Sequence, residues 1–265
     1  MRSVTTKERQ GQTVIAVSGM PKTGKTWLAL ATSPRPVYYH ELDTGGLNRV
    51  LPALPDDLLN GNLFAQEYGL ASEGGDQLGI SKVEADRTWL LFKREYKKSI
   101  IAAAAAGGTV VVDTGSLLWE LAQAALVDAN SRRGAMEFGL ANREYRGMIG
   151  FAREAAHRCN LVLIHHVREV WEKDDRDQWQ ATGRYNPKMH KETEALVDAG
   201  LWAMRPFRGG GKTDFRLRFD FCGLDPTMEG TVLDPSGDTA GSLALPATLE
   251  TVFDLLSIPR GGNDA

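Results

Sequence analysis

Gly19-Met20-Pro21-Lys22-Thr23-Gly24-Lys25-Thr26 decides the reading of this chain. The octet fits G-x-x-x-x-G-K-[ST] at every fixed position. Residues 13–18 before it form a β-branched run that reads as a buried strand. Residues 26–31 after it open a helix that Pro34 ends. Strand, glycine loop and helix are the context that makes this pattern a phosphate-binding loop. Gly19 and Gly24 permit the backbone angles that wrap a loop around an anion. Successive N–H groups then point at a β-phosphate. Lys25 supplies a point charge to the β- and γ-phosphates, and the Thr26 hydroxyl is placed to ligate Mg²⁺. The nucleotide-contacting stretch is taken to run on to Trp27.

A control lies in the same chain. Gly209-Gly210-Gly211-Lys212-Thr213 also ends in Gly-Lys-Thr, but Pro206 stands where the spacing needs glycine. The residues after it alternate apolar and polar like a strand, so a hairpin turn is expected there.

The 265 residues suffice for one large α/β domain, expected over 1–258 with a frayed tail at 259–265. Net charge is −3 with 25% charged residues, so any nucleic-acid binding must come from a local patch or from oligomer geometry. Cys159 and Cys222, the only two cysteines, lack metal spacing and read as buried free thiols in a reducing compartment. No signal peptide is read before the first strand, and the small-apolar run 100–112 is broken by Gly107-Gly108. A cytoplasmic protein with no membrane association is expected.

Strand-like runs fall at 13–18, 36–40, 108–113, 160–166, 200–206 and 214–222. Helix-like runs fall at 25–32, 83–106, 116–130 and 141–158. The first four strands alternate with helices, which predicts a mostly parallel twisted sheet flanked by helices. The last two predict an antiparallel hairpin at one edge. Residues 60–80 are glycine-rich and read as a loop. Residues 169–195 are polar, without apolar periodicity, and read as a second long loop directly after a core strand.

A phosphate loop needs an acidic partner for Mg²⁺. Asp113 ends the apolar strand 109–113 and supplies one; the plainer alternative is an N-cap. Glu41 and Asp43 follow the strand 36–40 two residues apart and share a face in extended chain. One of them is expected to orient an attacking water; the alternative is a solvated acidic turn. His165 and His166 end the strand 160–166 on opposite faces, so one faces the site. That histidine is read as a γ-phosphate sensor, with a structural histidine as the alternative; a metal ligand is disfavoured, because no third ligand has suitable local spacing.

In this order, the phosphate loop, Glu41-x-Asp43, the strand ending in Asp113 and the strand ending in His166 resemble the RecA-type core ATPases. They resemble in particular the minimal RecA-like ATPases of phages linked to single-strand annealing and recombination. The resemblance spans about residues 13–222. It implies a RecA-like P-loop fold, with ATP and Mg²⁺ as cofactors. Lys25 is then on the triphosphate, Asp43 is the water-activating acid with Glu41 before it, and His166 is the sensor. The family's usual residue at the place of Asp43 is glutamate. The resemblance further implies single-stranded DNA contact through the segment 169–195 and its flanks, with Arg168, Lys173, Arg184, Lys188 and Lys191 as candidates and Trp171, Trp179 and Tyr185 as stacking surfaces. It also implies a homo-oligomer in which Arg216 and Arg218 act on a neighbour's phosphates, and a single-strand annealing or binding protein as a possible partner. The expected activity is Mg-dependent ATP hydrolysis in DNA recombination or replication. The rivals are a slow nucleotide-gated adaptor or loader acting through a protein and, less well supported, a small-molecule kinase.

Overall fold

The computed structural model describes residues 13–70, 79–127, 138–154, 159–205, 215–239 and 241–257. The expected turn at 209–213, the tail at 259–265, and the expected helix ends at 128–130 and 155–158 lie outside these residues. Strands and helices follow in chain order as β1 (Val14–Ser18), α1 (Lys25–Ala31), β2 (Val37–Glu41), α2 (Gly46–Val50), α3 (Asp56–Leu59), β3 (Leu63–Glu67), α4 (Lys82–Ala106), β4 (Thr109–Asp113) and α5 (Gly115–Leu126). The second half holds α6 (Phe138–Ala152), β5 (Asn160–Ile164), β6 (His166–Lys173), β7 (Trp179–Lys188), α7 (Thr193–Leu196), β8 (Ala199–Met204), β9 (Arg216–Cys222), β10 (Val232–Leu233) and α8 (Leu249–Ser257).

Eight strands form one sheet in the order β10-β9-β8-β1-β5-β4-β2-β3. The pairs from β8 through β1, β5, β4 and β2 to β3 are parallel, while β8–β9 and β9–β10 are antiparallel. The expected α/β class and the antiparallel edge are therefore both present.

Strand alternation sorts the apolar side chains into two layers. Val14, Ala16, Val110, Val112, Leu161 and Leu163 pack with α4, α5 and α6 on one face. Ile15, Val17, Val111, Val162 and Ile164 pack with α1, α8 and the β8–β9 hairpin on the other. The central strands are buried on both faces, which is why they read as unbroken apolar runs. A capping box closes on Ser81 and Glu84 at the start of α4, and Gly107 ends that helix in the left-handed conformation.

Two expectations need correction. The segment 60–80 is not all loop, because Leu63–Glu67 pairs in parallel with β2 as the outer strand β3. An edge strand with one exposed face has no need of an apolar run, so its sequence gave a weak signal. The segment 169–195 is not a loop either. Strands β6 and β7 pair as a two-stranded antiparallel ribbon. Both faces of that ribbon are largely solvated, so it lacks the alternation by which a half-buried strand is recognised. The predicted strand 160–166 accordingly divides at His165, with β5 in the main sheet and β6 in the ribbon.

Candidate nucleotide site

The chain leaves β1 toward β2 on one side and returns as β8 on the other, so β1 marks a switch point in the sheet. A crevice opens at the carboxyl ends of the strands at such a point. Here it is a cleft of about 650 Å³, lined by Gly19, Lys25, Thr26, Asp43, Asp113 and His166 among others.

The loop after β1 has the shape its glycines predict. Gly24 has φ 86°, a left-handed conformation. Gly19 passes so close to β8 that a Cβ there would stand 2.6 Å from the Ala203 carbonyl oxygen. Lys25 Nζ folds back over the loop and donates to the Gly19 and Met20 carbonyls at 2.8 and 2.9 Å. Thr23 Oγ1 donates to the Met20 carbonyl at 2.9 Å, closing the turn. Pro21, Lys22, Gly24, Lys25 and Thr26 line the cleft. Trp27 does not; its indole donates to the Ala53 carbonyl at 2.9 Å.

Strand β5 lies between β1 and β4, so the loop strand and the Asp113 strand are second neighbours. The start of α1 bridges that gap: Thr26 Oγ1 donates to Asp113 Oδ2 at 2.6 Å. Tyr39 Oη donates to the same oxygen at 3.0 Å from β2. Burial pushes the Asp113 carboxyl above its usual range, against the opposing bonds from Thr26 and Tyr39. Burial likewise lowers the Lys25 ammonium, with Asp113 pulling the other way. Asp113 thus sits nearly buried in the wall of the cleft that Lys25 also lines, with the Thr26 and Tyr39 hydroxyls donating to the same one of its oxygens. The N-cap of α5 is Thr114, whose side chain accepts from the Leu117 N–H, so Asp113 is not spent on capping.

The acidic pair separates by position. Glu41 is buried, and its Oε1 accepts from the Gly46 and Leu47 N–H groups at the start of α2, the latter at 3.0 Å. Burial raises its carboxyl, with those two backbone bonds opposing. It does not line the cleft, whereas Asp43 does. His166 Nε2 stands 3.7 Å from Asp43 Oδ2. Burial lowers the His166 imidazole, while Asp43 and Asp113 raise it. His165 faces the other way and is fully buried, as alternation predicts.

The remaining candidates lie apart from one another. Arg168, Lys173 and Arg184 are exposed on the ribbon, with Lys173 2.6 Å from Asp177 and Arg184 paired with Glu172. Trp171, Trp179 and Tyr185 are 54%, 64% and 37% exposed. Lys173, Trp179 and Trp171 share one ribbon face by register. Lys191 is exposed beyond the ribbon. Lys188 does not join the exposed group, because it lines the cleft. On β9, Arg216 pairs with the fully buried Asp234 at 3.1 Å, and Arg218 pairs with Asp220 at 2.7 Å over the Trp202 ring. Neither arginine lines the cleft of its own chain. Sequence reading missed Tyr39 and Arg49. Alternation along β2 puts Tyr39 on the Glu41 face and was its available signal. Arg49 lines the cleft from α2, holding the turn through the Gly45 carbonyl at 2.8 Å, and nothing in the sequence marked it.

Among the described residues no cluster of three or more His, Cys, Asp or Glu side chains is placed to hold a metal. Thr26 and Asp113 fit the sparser protein contribution that Mg²⁺ takes when phosphates and waters complete its shell. No helix among the described residues is long and apolar enough to cross a membrane.

No protein-family model matches the chain, and no curated protein does. Among solved structures it is similar to the RadB recombinase, at 14% identity over 84% of this chain and 86% of that one, with a TM-score of 0.44. It is also similar to an ATPase from the type III secretion system of pathogenic bacteria, at 12% identity and a TM-score of 0.45. That match covers 73% of this chain and 51% of the other, so the chain spans about half the length of the secretion ATPase.

Proposed function

We propose that the cleft binds a nucleoside triphosphate with Mg²⁺ and that the protein is a RecA-like P-loop ATPase. The observation that carries this reading is the meeting of Thr26 with Asp113 at 2.6 Å, beside the Lys25 loop, at the carboxyl ends of β1 and β4. Lys25 and the loop N–H groups bind the phosphates. Thr26 and Asp113 would hold the Mg²⁺, whose charge would offset that of the phosphate oxygens. Asp43 orients the attacking water, and His166 beside it reads the terminal phosphate. Glu41 is occupied at the start of α2 and is not the water-positioning group.

The setting we infer is DNA recombination or replication of the phage type, alongside a single-strand annealing or binding protein. The ribbon supports it with exposed Trp171 and Trp179 flanking Lys173, a combination suited to stacking single-stranded bases. A homo-oligomer is part of the same reading, with Arg218 as the group that reaches a neighbour's phosphates. Arg216 is committed to Asp234. Arg218→Ala is expected to lower turnover only at concentrations where subunits assemble, and an equal loss in the monomer range would remove the trans role.

One observation favours a second reading, a nucleotide-gated adaptor. Aspartate at position 43 reaches less far than the glutamate usual in that family, which suits slow hydrolysis. Phosphate release from ATP with Mg²⁺, with and without single-stranded DNA at two salt concentrations, separates the two. Stimulation that fades with salt is expected, because phosphate contacts release counterions. Slow turnover indifferent to DNA would favour the adaptor, and no turnover in any condition would end the hydrolase reading.

A further inference from the structure

The two strands of the ribbon end in the cleft. His166 opens β6, Lys188 closes β7, and the two are Cα partners in the antiparallel register. Both line the cleft with Lys25, Asp43 and Asp113. Their backbone is pinned to α5, the helix that follows Asp113. The His166 N–H donates to Ser116 Oγ at 3.1 Å, and the Ser116 hydroxyl donates to the Lys188 carbonyl. One helical turn further along α5, Glu120 Oε1 stands 2.9 Å from Lys188 Nζ. The Glu120 side chain is 8% exposed, and among the described residues neither of its oxygens accepts a hydrogen bond of regular geometry. Lys188 is therefore the charge partner of a nearly buried carboxylate and at the same time a wall of the phosphate cleft.

A buried carboxylate needs such a partner. A lysine is suited to serve two anions, because its ammonium carries three donors on a flexible four-carbon stem. We propose that Lys188 is a ligand of the terminal phosphate, supplied in cis from the base of the ribbon, with Glu120 as the counter-ion that holds it when that phosphate is absent. The proposal rests on the nucleotide reading of the cleft. It moves Lys188 out of the DNA-contacting set and makes the ribbon base respond to the third phosphate at both strands. The pinned backbone leaves only the side chain to reorient. A change at the Lys188 ammonium therefore reaches α5 through its pairing with Glu120.

Equilibrium binding of a non-hydrolysable ATP analogue and of ADP to wild type, Lys188→Ala and Lys188→Arg tests it. The alanine variant is expected to bind the triphosphate at least about tenfold more weakly while ADP affinity stays within about twofold. The arginine variant is expected to recover most of the loss, since it keeps the charge. Retained ADP binding reports that the alanine variant is folded. An unchanged ratio of the two affinities, or an equal loss of both, overturns the role of Lys188 and leaves the nucleotide site standing. A wild-type protein that binds neither nucleotide overturns the nucleotide reading itself and this proposal with it.

Discussion

At the scale of single residues, Glu41 and Asp43 show how two carboxylates of like chemistry part company. Glu41 accepts two N–H groups at the start of α2 and is buried; Asp43 stands in the cleft beside His166. Asp43→Asn is therefore expected to keep ATP affinity within about threefold and to lose at least about a hundredfold in turnover, the scale of a positioned acid or base. Its effect on stability should stay within about 0.5 kcal/mol, as for other substitutions away from the core. Glu41→Ala removes the acceptor of two helix-start donors and should cost about 1–3 kcal/mol in urea unfolding. An active Asp43→Asn protein with an inactive, fully stable Glu41→Ala protein would exchange the two roles. The sequence predicted that one of the pair orients the attacking water, with a solvated acidic turn as the alternative. It did not show which, because the competing use of Glu41 depends on where α2 begins in space.

At the scale of elements, the β6–β7 ribbon is the part least legible in the sequence. Its strands carry charged side chains on both faces and are largely exposed, so no apolar period marks them. The central strands were legible for the opposite reason, since burial on both faces demands the apolar runs at β1, β4 and β5. The loop at residues 19–26 was legible because its backbone restricts residue type at fixed spacing, with Gly24 at φ 86° and Gly19 against the Ala203 carbonyl. The position of Lys188 was not, because it depends on β7 returning to the exact strand end from which β6 departs. A ribbon so little packed against the core should tolerate change. Trp171→Ala and Trp179→Ala are each expected to alter stability by less than about 0.5 kcal/mol. Each should weaken single-stranded DNA binding by about 1–3 kcal/mol, the worth of one stacked base. Unfolding titrations and fluorescence anisotropy measure the two effects. Unchanged DNA affinity in both variants would remove the ribbon from the DNA-binding account.

At the scale of the whole molecule, two buried histidines link stability to pH. Burial pushes His165 down to about 3 and His40 down to about 4. His40 is held between Tyr68 Oη at 2.8 Å and Ser99 Oγ at 3.0 Å. In the unfolded chain both titrate near 6.5. Below that value the unfolded state binds more protons than the folded one, so stability rises with pH and is lost as pH falls. The contribution is complete above about 6.5 and disappears on descent toward 4 for His40 and toward 3 for His165. Each histidine should add roughly 1 kcal/mol per pH unit to the slope in that window. His165→Gln is expected to make the slope shallower between pH 6.5 and 4, whatever it does to stability at pH 8. An unaltered slope would mean that His165 is protonated in the folded protein.

The account as a whole depends on the cleft at the end of β1 taking a triphosphate through Lys25. Titration calorimetry with a non-hydrolysable ATP analogue and Mg²⁺, on wild type and on Lys25→Ala, tests this most directly. The account predicts saturable one-site binding by wild type, weakened at least about a hundredfold in the variant, whose fold is checked by an unchanged unfolding midpoint. Equal affinity in the two proteins would contradict it, and so would a wild-type protein that takes up no nucleotide.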